Sequence, residues 1–520
     1  MKLTNAAIAA DSPLTAAAGA RIAREGGNAV DIAVSAALTA AVAEPLMCSL
    51  GGSGFFMVRP AGKPPELIEG ADAVPTINER PASESSAWRT AHLPYGDGID
   101  VKAGHAAIAV PGMPAAAEAA WKRHGRLPWR EVVAPALAVA RSEIPAGATL
   151  AKWLALVSRA LFWQQDACRR CYFPDGENPL KESVRFRVPN LDQTFEAIAA
   201  QGARDLYEGD LAATFAREIQ ENGGFVTRDD LAAYRAVVRE PIALHSGGFQ
   251  LALNPPPAAG GVAVGFLINM IGSNWCDTMS PAERALLQAR SQVRLLRIRE
   301  HQLSSPGFDN HAASALLKNT GLGDNLSALQ SPNTTHLSVI TSDGSMAAVT
   351  MSMGYGAGVI IPSLGIGCNN GLGEPELNPQ GFHVAPTGTR LVSNMAPTLA
   401  WHDDGRSLAF GSPGASRITT SIAQTWARFA FEQMTFEEAV QAPRLHIELF
   451  DDGLRAQCEP GIDAKLLDGD HIVRPFDSKD MYFGAIKLAA IDRRGKFHAV
   501  ADERRHGAVE IVEEQEPMVN

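Results

Sequence analysis

The chain has 520 residues, 46% of them hydrophobic and 20% charged, with a formal net charge of −11. Those proportions fit a folded protein with a sizeable core and exclude a disordered or fibrous chain. The acidic balance repels nucleic acid and anionic membranes, so neither is expected as a partner.

The N-terminus, MKLTNAAIAADSPL, carries one lysine and a five-residue apolar run, too short for the core of a signal peptide, so the chain as given reads as cytoplasmic. Ser12 followed by Pro13 predicts an N-cap with proline at the first helical position, and Gly26-Gly27 predicts the stop of a helix over 13–25. Asn28 and Asp31 predict a second cap. The helix they open, AVDIAVSAALTAAVAEP, is apolar nearly all round and belongs in the middle of a layered protein. Interrupted by Ser35 and Thr39, it falls short of the roughly 20 residues of a membrane span. HAAIAVPGMPAAAEAAWKRHG predicts a short strand ending at Pro111 and then a helix. LDQTFEAIAAQG and LAATFAREIQENGG predict helices closed by glycine, and FQLALNPPP a strand. Cys168 and Cys171 form a lone C-x-x-C with no second pair or nearby histidine, the pattern of two ordinary thiols rather than a zinc site. Residues 281–317 read as helical and basic, and NTGLGDNLSALQSPN, rich in Gly, Asn and Ser, as a loop.

After that loop the period changes to two. Thr335, Leu337 and Val339 fall on one face, and Thr334, His336, Ser338 and Ile340 on the other. Asp343-Gly344 predicts a hairpin turn and MAAVTMSM the return strand. Two threonines at the start of a strand are, by themselves, only good strand formers. A threonine hydroxyl becomes a useful nucleophile when a base lies beside it, and its own free α-amine is one such base, with an ordinary pKa of about 8. That chemistry requires the peptide bond before Thr334 to be cut.

A series of segments in order changes the weight of that reading. GARIAREGGNAVDIAVSAALTAAVAEP, LGGSGFFMV, GHAAIAVPGMPAAAEAAWKRHGRLPW, LYEGDLAA, GGFVTRDDLAAY, NPPPAAGG, NTTHLSVITSDG, GIGCNNGLGE, MAPT, GSPGASRI, APRLH and ADERRHG together resemble the γ-glutamyltransferase family of N-terminal-nucleophile enzymes over nearly the whole chain. The resemblance implies an α+β fold, a four-layer αββα sandwich of two stacked antiparallel sheets covered by helices. It implies self-cleavage between Asn333 and Thr334, giving a large subunit of residues 1–333 and a small subunit of residues 334–520 that together form one αββα unit. Thr334 would be nucleophile and base in one residue, Ser352 would tune it through a hydroxyl where the family has threonine, and the N–H groups of Gly414 and Ala415 would form an oxyanion hole. The acyl group would pass from a small amide substrate to water or an acceptor amine, with no cofactor or metal, because every catalytic group is the protein's own.

The chain departs from the family at the substrate head. Ala71 stands where an arginine grips the γ-glutamyl carboxylate, and Arg80, the nearest arginine, has no spacing that places it there. Gly354 stands for an asparagine, and the pair that holds the α-amino group falls at Gly371 and Glu374. Ser393 and Asn394 replace two serines, and the stretch from Asn370 to Ser393 is short. Three outcomes stay open: γ-glutamyl transfer or hydrolysis, an amidase or acylase acting on glutaryl-type or other side chains, and an uncleaved non-catalytic relative. The joint presence of Thr334, Ser352 and the Gly414-Ala415 turn favours an enzyme. A Rossmann reading of GYGAGVI fails for want of the third glycine.

Overall fold

The structure is a computed structural model that describes residues 2–78, 83–94, 98–298, 309–318, 334–378, 380–450, 453–463, 465 and 472–514. The expected loop over 319–333, the centre of the 281–317 helical stretch, Arg80 and Asn333 lie outside these residues.

Two antiparallel sheets are stacked face to face. The first runs, in spatial order, Ala508–Val512, β1 (Ala6–Ala10), Thr334–Thr341, Met346–Ser352, β2 (Ser53–Arg59), β3 (Glu66–Gly70) and Val237–Arg239. The second runs Phe497–Ala501, Lys487–Ile491, Ser407–Gly411, Thr398–Trp401, Phe249–Leu253 and Ile242–Ser246. Helices α1 (Pro13–Arg24) and α2 (Ala29–Ala43) pack on the outer face of the first sheet, and the helices Gly260–Ser273 and Arg417–Ala430 on the second. The αββα sandwich is therefore present, and each sheet mixes strands from both sides of Thr334.

The period-two pattern explains the layering. Ala7, Phe55, Met57, Leu67, Ile340, Met346 and Ala348 belong to the core shared with the second sheet. Ile8, Phe56, Val58, Ile68, Leu337, Val339 and Val349 belong to the core beneath the helices. A one-residue slip would exchange both sets, so burial on two faces pins the register. The hairpin sits where it was expected: Gly344 has φ of +81°, and Asp343 Oδ1 accepts the Ser345 N–H at 2.9 Å.

Helix α2 is buried along all of its 15 residues. Asn28 Oδ1 accepts the N–H groups of Val30 and Asp31 at 3.0 Å each, and Asp31 Oδ2 accepts the Asn28 N–H at 3.0 Å. This reciprocal cap fixes where the helix starts and hence where it stops, which delivers Glu44 to the underside of the Thr334 strand. One expectation fails. Residues before Pro111 form a 3-10 turn (His105–Ala107) and a single bridge between Val110 and Ala73 instead of a strand. The Ile108 N–H turns back to the His105 carbonyl and Pro111 has no N–H, so the ladder ends on both sides of one pair.

Candidate active site

Thr334 is the first residue of its strand and pairs across the ladder with Ser352, which in turn pairs with Ser53. Ser352 Oγ accepts the Gly354 N–H at 3.0 Å, and Ser53 Oγ donates to the Ser352 carbonyl at 3.3 Å. Three hydroxyl side chains from three adjacent strands thus line one cleft of about 40 Å³. Ser53 escaped the sequence reading although it lies inside the LGGSGFFMV segment; cross-strand register, invisible in one sequence, is what brings it to Thr334.

Across the cleft, the strand Ser407–Gly411 ends in Ser412-Pro413-Gly414-Ala415, and the helix Arg417–Ala430 begins at once. Gly414 has φ of +119° and Ala415 φ of +62°. A Cβ on Gly414 would lie 2.9 Å from the Gly484 Cα, so only glycine fits. Among the described residues, neither the Gly414 nor the Ala415 N–H donates to another group. Two consecutive donors at the N-terminal end of a 14-residue helix suit developing negative charge. Ala415 itself lines the cleft opposite Thr334 and Ser352.

Ser393 and Asn394 also line the cleft. Their backbone is clamped by the NPPPAAGG segment: the Ser393 carbonyl accepts the N–H groups of Ala259 and Gly260 at 2.9 and 3.1 Å, and Asn254 Nδ2 donates to the Met395 carbonyl at 2.7 Å. The remaining wall is apolar, from Phe55, Leu377, Leu391, Val392, Met395 and Ile418. Asp72 is the one charged side chain in it, and its Oδ1 has no hydrogen-bond partner among the described residues. Burial, reinforced by the Glu374 carboxylate nearby, pushes the Asp72 carboxyl well above the usual carboxylate range.

A sequence profile described as Gamma-glutamyltranspeptidase matches residues 15–512 of this chain. The chain belongs to the gamma-glutamyltranspeptidase family. It is 28% identical to the glutathione hydrolase proenzyme of Escherichia coli, over 84% of its own length and 80% of that protein's. It is 27% identical to the acylase ACY 1 proenzyme of Pseudomonas sp. strain V22, over 85% and 82% of the two chains. A solved cephalosporin acylase from Bacillus halodurans superposes with a TM-score of 0.80 at 24% identity, covering 99% of this chain and 97% of that one. The gamma-glutamyltranspeptidase of Helicobacter pylori gives 0.51 at 21% identity, covering 61% and 91%. These two likenesses concern the N-terminal-nucleophile fold. The chain is accordingly a gamma-glutamyltransferase-like, self-cleaving acyltransferase or amidohydrolase.

No arginine or lysine lines the cleft among the described residues. Ala71 is in the wall with its carbonyl taken by Tyr234 Oη at 2.6 Å and by Arg390 Nη1 at 3.0 Å. Arg390 stacks over the Tyr234 ring at 3.9 Å, behind the wall rather than in it. Glu374 is fully buried and does not line the cleft; it lies behind Gly354, where a Cβ would come within 1.6 Å of its Oε1 and 2.5 Å of Asn370 Oδ1. The expected set therefore divides. Thr334, Ser352, Ser393, Asn394 and Ala415 share one cleft, while Glu374 and Gly414, the latter adjoining Ala415 in the turn, are not among its lining residues.

The underside of the same strand holds a charged network that sequence reasoning missed. Arg505 Nη1 donates to the Thr334 carbonyl at 2.9 Å. Thr335 Oγ1 sits between two carboxylates, 3.1 Å from Asp11 Oδ2 and in hydrogen-bond contact with Glu44 Oε2. One hydroxyl hydrogen cannot serve both. Asp11 also receives the His336 N–H at 3.2 Å and the Lys487 ammonium at 2.5 Å. Glu44, which also accepts the Thr15 hydroxyl at 2.5 Å, is pushed up to about 7, first by burial and then by the Asp11 charge. Its position just past the C-terminus of α2 disfavours a negative charge in the same direction. His336, hydrogen-bonded to Thr350 and Ser338 and kept neutral by burial, is a core histidine.

Proposed function

We propose that the precursor cuts itself between Asn333 and Thr334 and that the freed Thr334 then acts as nucleophile, its α-amine taking the hydroxyl proton as Oγ1 attacks an amide carbonyl. The N–H groups of Gly414 and Ala415 receive the oxyanion, and the amine leaves with the proton. Water or an acceptor amine then attacks the acyl-threonine ester through the same amine base. Ser352 and Ser53 hold the polar floor on which Thr334 sits. The juxtaposition of a strand-leading threonine and a left-handed donor turn across one cleft carries this reading.

The acyl group we propose is not the γ-glutamyl zwitterion but a compact, largely apolar chain with one uncharged polar end. A carboxylate head would meet no cation, and the room for an asparagine at position 354 is taken by Glu374. Asp72, meeting the substrate as a neutral acid, hydrogen-bonds without demanding a counter-charge. The same features weigh against a glutaryl chain, whose distal carboxylate needs a partner that the cleft lacks.

The test is a comparison of p-nitroanilides of butyrate, glutarate and γ-glutamate on the purified protein, alongside Thr334→Ala. The wild type is expected as two fragments, the smaller beginning Thr-Thr-His, with kcat/KM for the butyryl amide at least tenfold above the γ-glutamyl amide. Thr334→Ala is expected as one chain of 55.2 kDa with turnover at least about 10⁴-fold lower. Cleavage in Thr334→Ala removes the mechanism; preference for the γ-glutamyl amide removes only the specificity.

A further inference from the structure

The donor turn at Gly414-Ala415 holds a backbone that the chain does not favour. Both residues have positive φ, and Ala415 does so with a Cβ. Such a backbone persists only where its surroundings over-determine it. On one side the turn is braced by a hydroxyl: Ser412 Oγ donates to the Pro413 carbonyl at 2.7 Å and accepts the Ala485 N–H at 3.0 Å, which seats Gly414 against Gly484. On the other side lies a buried ion pair with no part in the mechanism above.

Arg417 and Glu448 form that pair, with side chains 1% and 4% exposed. Arg417 Nη1 donates to Glu448 Oε1 at 3.0 Å and to Ser416 Oγ at 3.1 Å, so the hydroxyl next to Ala415 is tied to the pair. Arg417 Nε donates to the Tyr482 carbonyl at 3.1 Å, two residues before Gly484. Glu448 Oε2 in turn accepts Tyr482 Oη at 2.6 Å and Gln457 Nε2 at 3.2 Å. Burial opposes its charge, yet the His446 contact, the Arg417 charge and the Tyr482 hydroxyl hold the Glu448 carboxyl down at about 2. A buried ion pair is a poor source of stability, because the desolvation of both charges offsets their attraction. What it supplies is direction, since a planar guanidinium donates along fixed lines. Those lines tie three pieces of chain to one point: the residue after the turn, the segment against which Gly414 packs, and the strand Leu445–Phe450.

We propose that Arg417 and Glu448 are positioning residues for acyl transfer: through Ser416 and Tyr482 they hold the Gly414 and Ala415 N–H groups where the oxyanion forms, and they touch no substrate atom. Neither side chain lines the catalytic cleft. This role rests on the acyl transfer proposed above, which fails if Thr334→Ala still cuts itself; the positioning role fails separately, on variants of an active wild type.

The test is steady-state hydrolysis of the best p-nitroanilide by Glu448→Gln, Ser416→Ala and Gly414→Ala, with each rate divided by the amount of the fragment that begins at Thr334. Acylation and deacylation each pass through an oxyanion, so kcat reports on the turn whichever step is slower. Glu448→Gln keeps the shape and removes the charge, and kcat is expected to fall at least about tenfold with KM within about threefold. Ser416→Ala cuts the link to the turn and leaves the ion pair whole; its kcat should fall at least about fivefold, again without KM, and it decides the matter where Glu448→Gln does not fold. A role confined to stability would not split kcat from KM in this way. The double variants carry the finer discrimination. Where two changes act on one turn their losses do not add, so either variant combined with Gly414→Ala should turn over within about twofold of Gly414→Ala alone. A kcat within about twofold of wild type in a folded single variant, a loss confined to KM, or losses that multiply in the double variant overturn the proposal.

Discussion

Thr334 and Thr335 are the same amino acid one position apart, and the strand sends them to opposite chemistries. Thr334 lines a cleft whose decisive partners are backbone groups: a ladder neighbour at Ser352 and the N–H groups of a left-handed turn. Thr335 reaches into a cluster whose partners are all side-chain charges, Glu44, Asp11 and Lys487. The cleft's reactive half therefore depends on φ and register. The underside depends on the count of protons. The cleft's head, like the underside, is built from side chains, Asp72, Ser393 and Asn394 among them.

The sharpest way to break this contrast is at Gly414. Gly414→Ala should lower kcat by about 10²–10³-fold with little change in KM, because a Cβ 2.9 Å from Gly484 forces the donor turn out of place. Steady-state kinetics on the best amide substrate, with melting to confirm folding, measures it. An unchanged kcat would mean that the oxyanion is held elsewhere and that the backbone account of the cleft is wrong.

On the underside the expected effect is one of pH. Glu44 is an acid whose folded pKa, about 7, lies above its unfolded value, so the folded state keeps a proton that the unfolded state releases. Its contribution is intact below about pH 4.5 and is lost as pH climbs towards 7, for a total of about 3 kcal/mol. Glu44→Gln, neutral at every pH, should remove that slope. Denaturant unfolding at pH 5 and pH 8 should then show a smaller loss on raising the pH in the variant than in the wild type. Equal losses would place the proton elsewhere in the network.

What the sequence disclosed follows the same division. The helix caps at Ser12 and Asn28, the alternation of residues 334–341 and the Asp343-Gly344 turn were legible because each is set by neighbours within four residues. The Gly414-Ala415 turn was singled out only by the resemblance of GSPGASRI to the family, since a Pro-Gly pair alone marks no more than a turn. Ser53, Asp72, Glu44 and Arg505 were not, since each acts on Thr334 or its cleft across a long stretch of chain, through register or through the depth at which a helix ends. Counting along the chain placed Glu374 among the substrate ligands, and only the close approach of Gly354 reveals that it stands behind the wall.

The smallest effect is also the most discriminating. Ala415 holds φ of +62°, a conformation that costs a residue with a Cβ about 1 kcal/mol or more and costs glycine almost nothing. Ala415→Gly removes that strain but frees the unfolded chain, so a net gain below about 1 kcal/mol is expected. Because the substitution keeps the backbone N–H, kcat should stay within about threefold. Thermal melting paired with kinetics on the butyryl amide reads both quantities. A tenfold fall in kcat/KM with stability unchanged would mean that the Ala415 methyl packs against the acyl chain, and the reactive half would then share with the head a dependence on side chains. A stable variant with unaltered kinetics would leave the backbone alone responsible for the oxyanion and confine selectivity to the wall from Ala71 to Asn394.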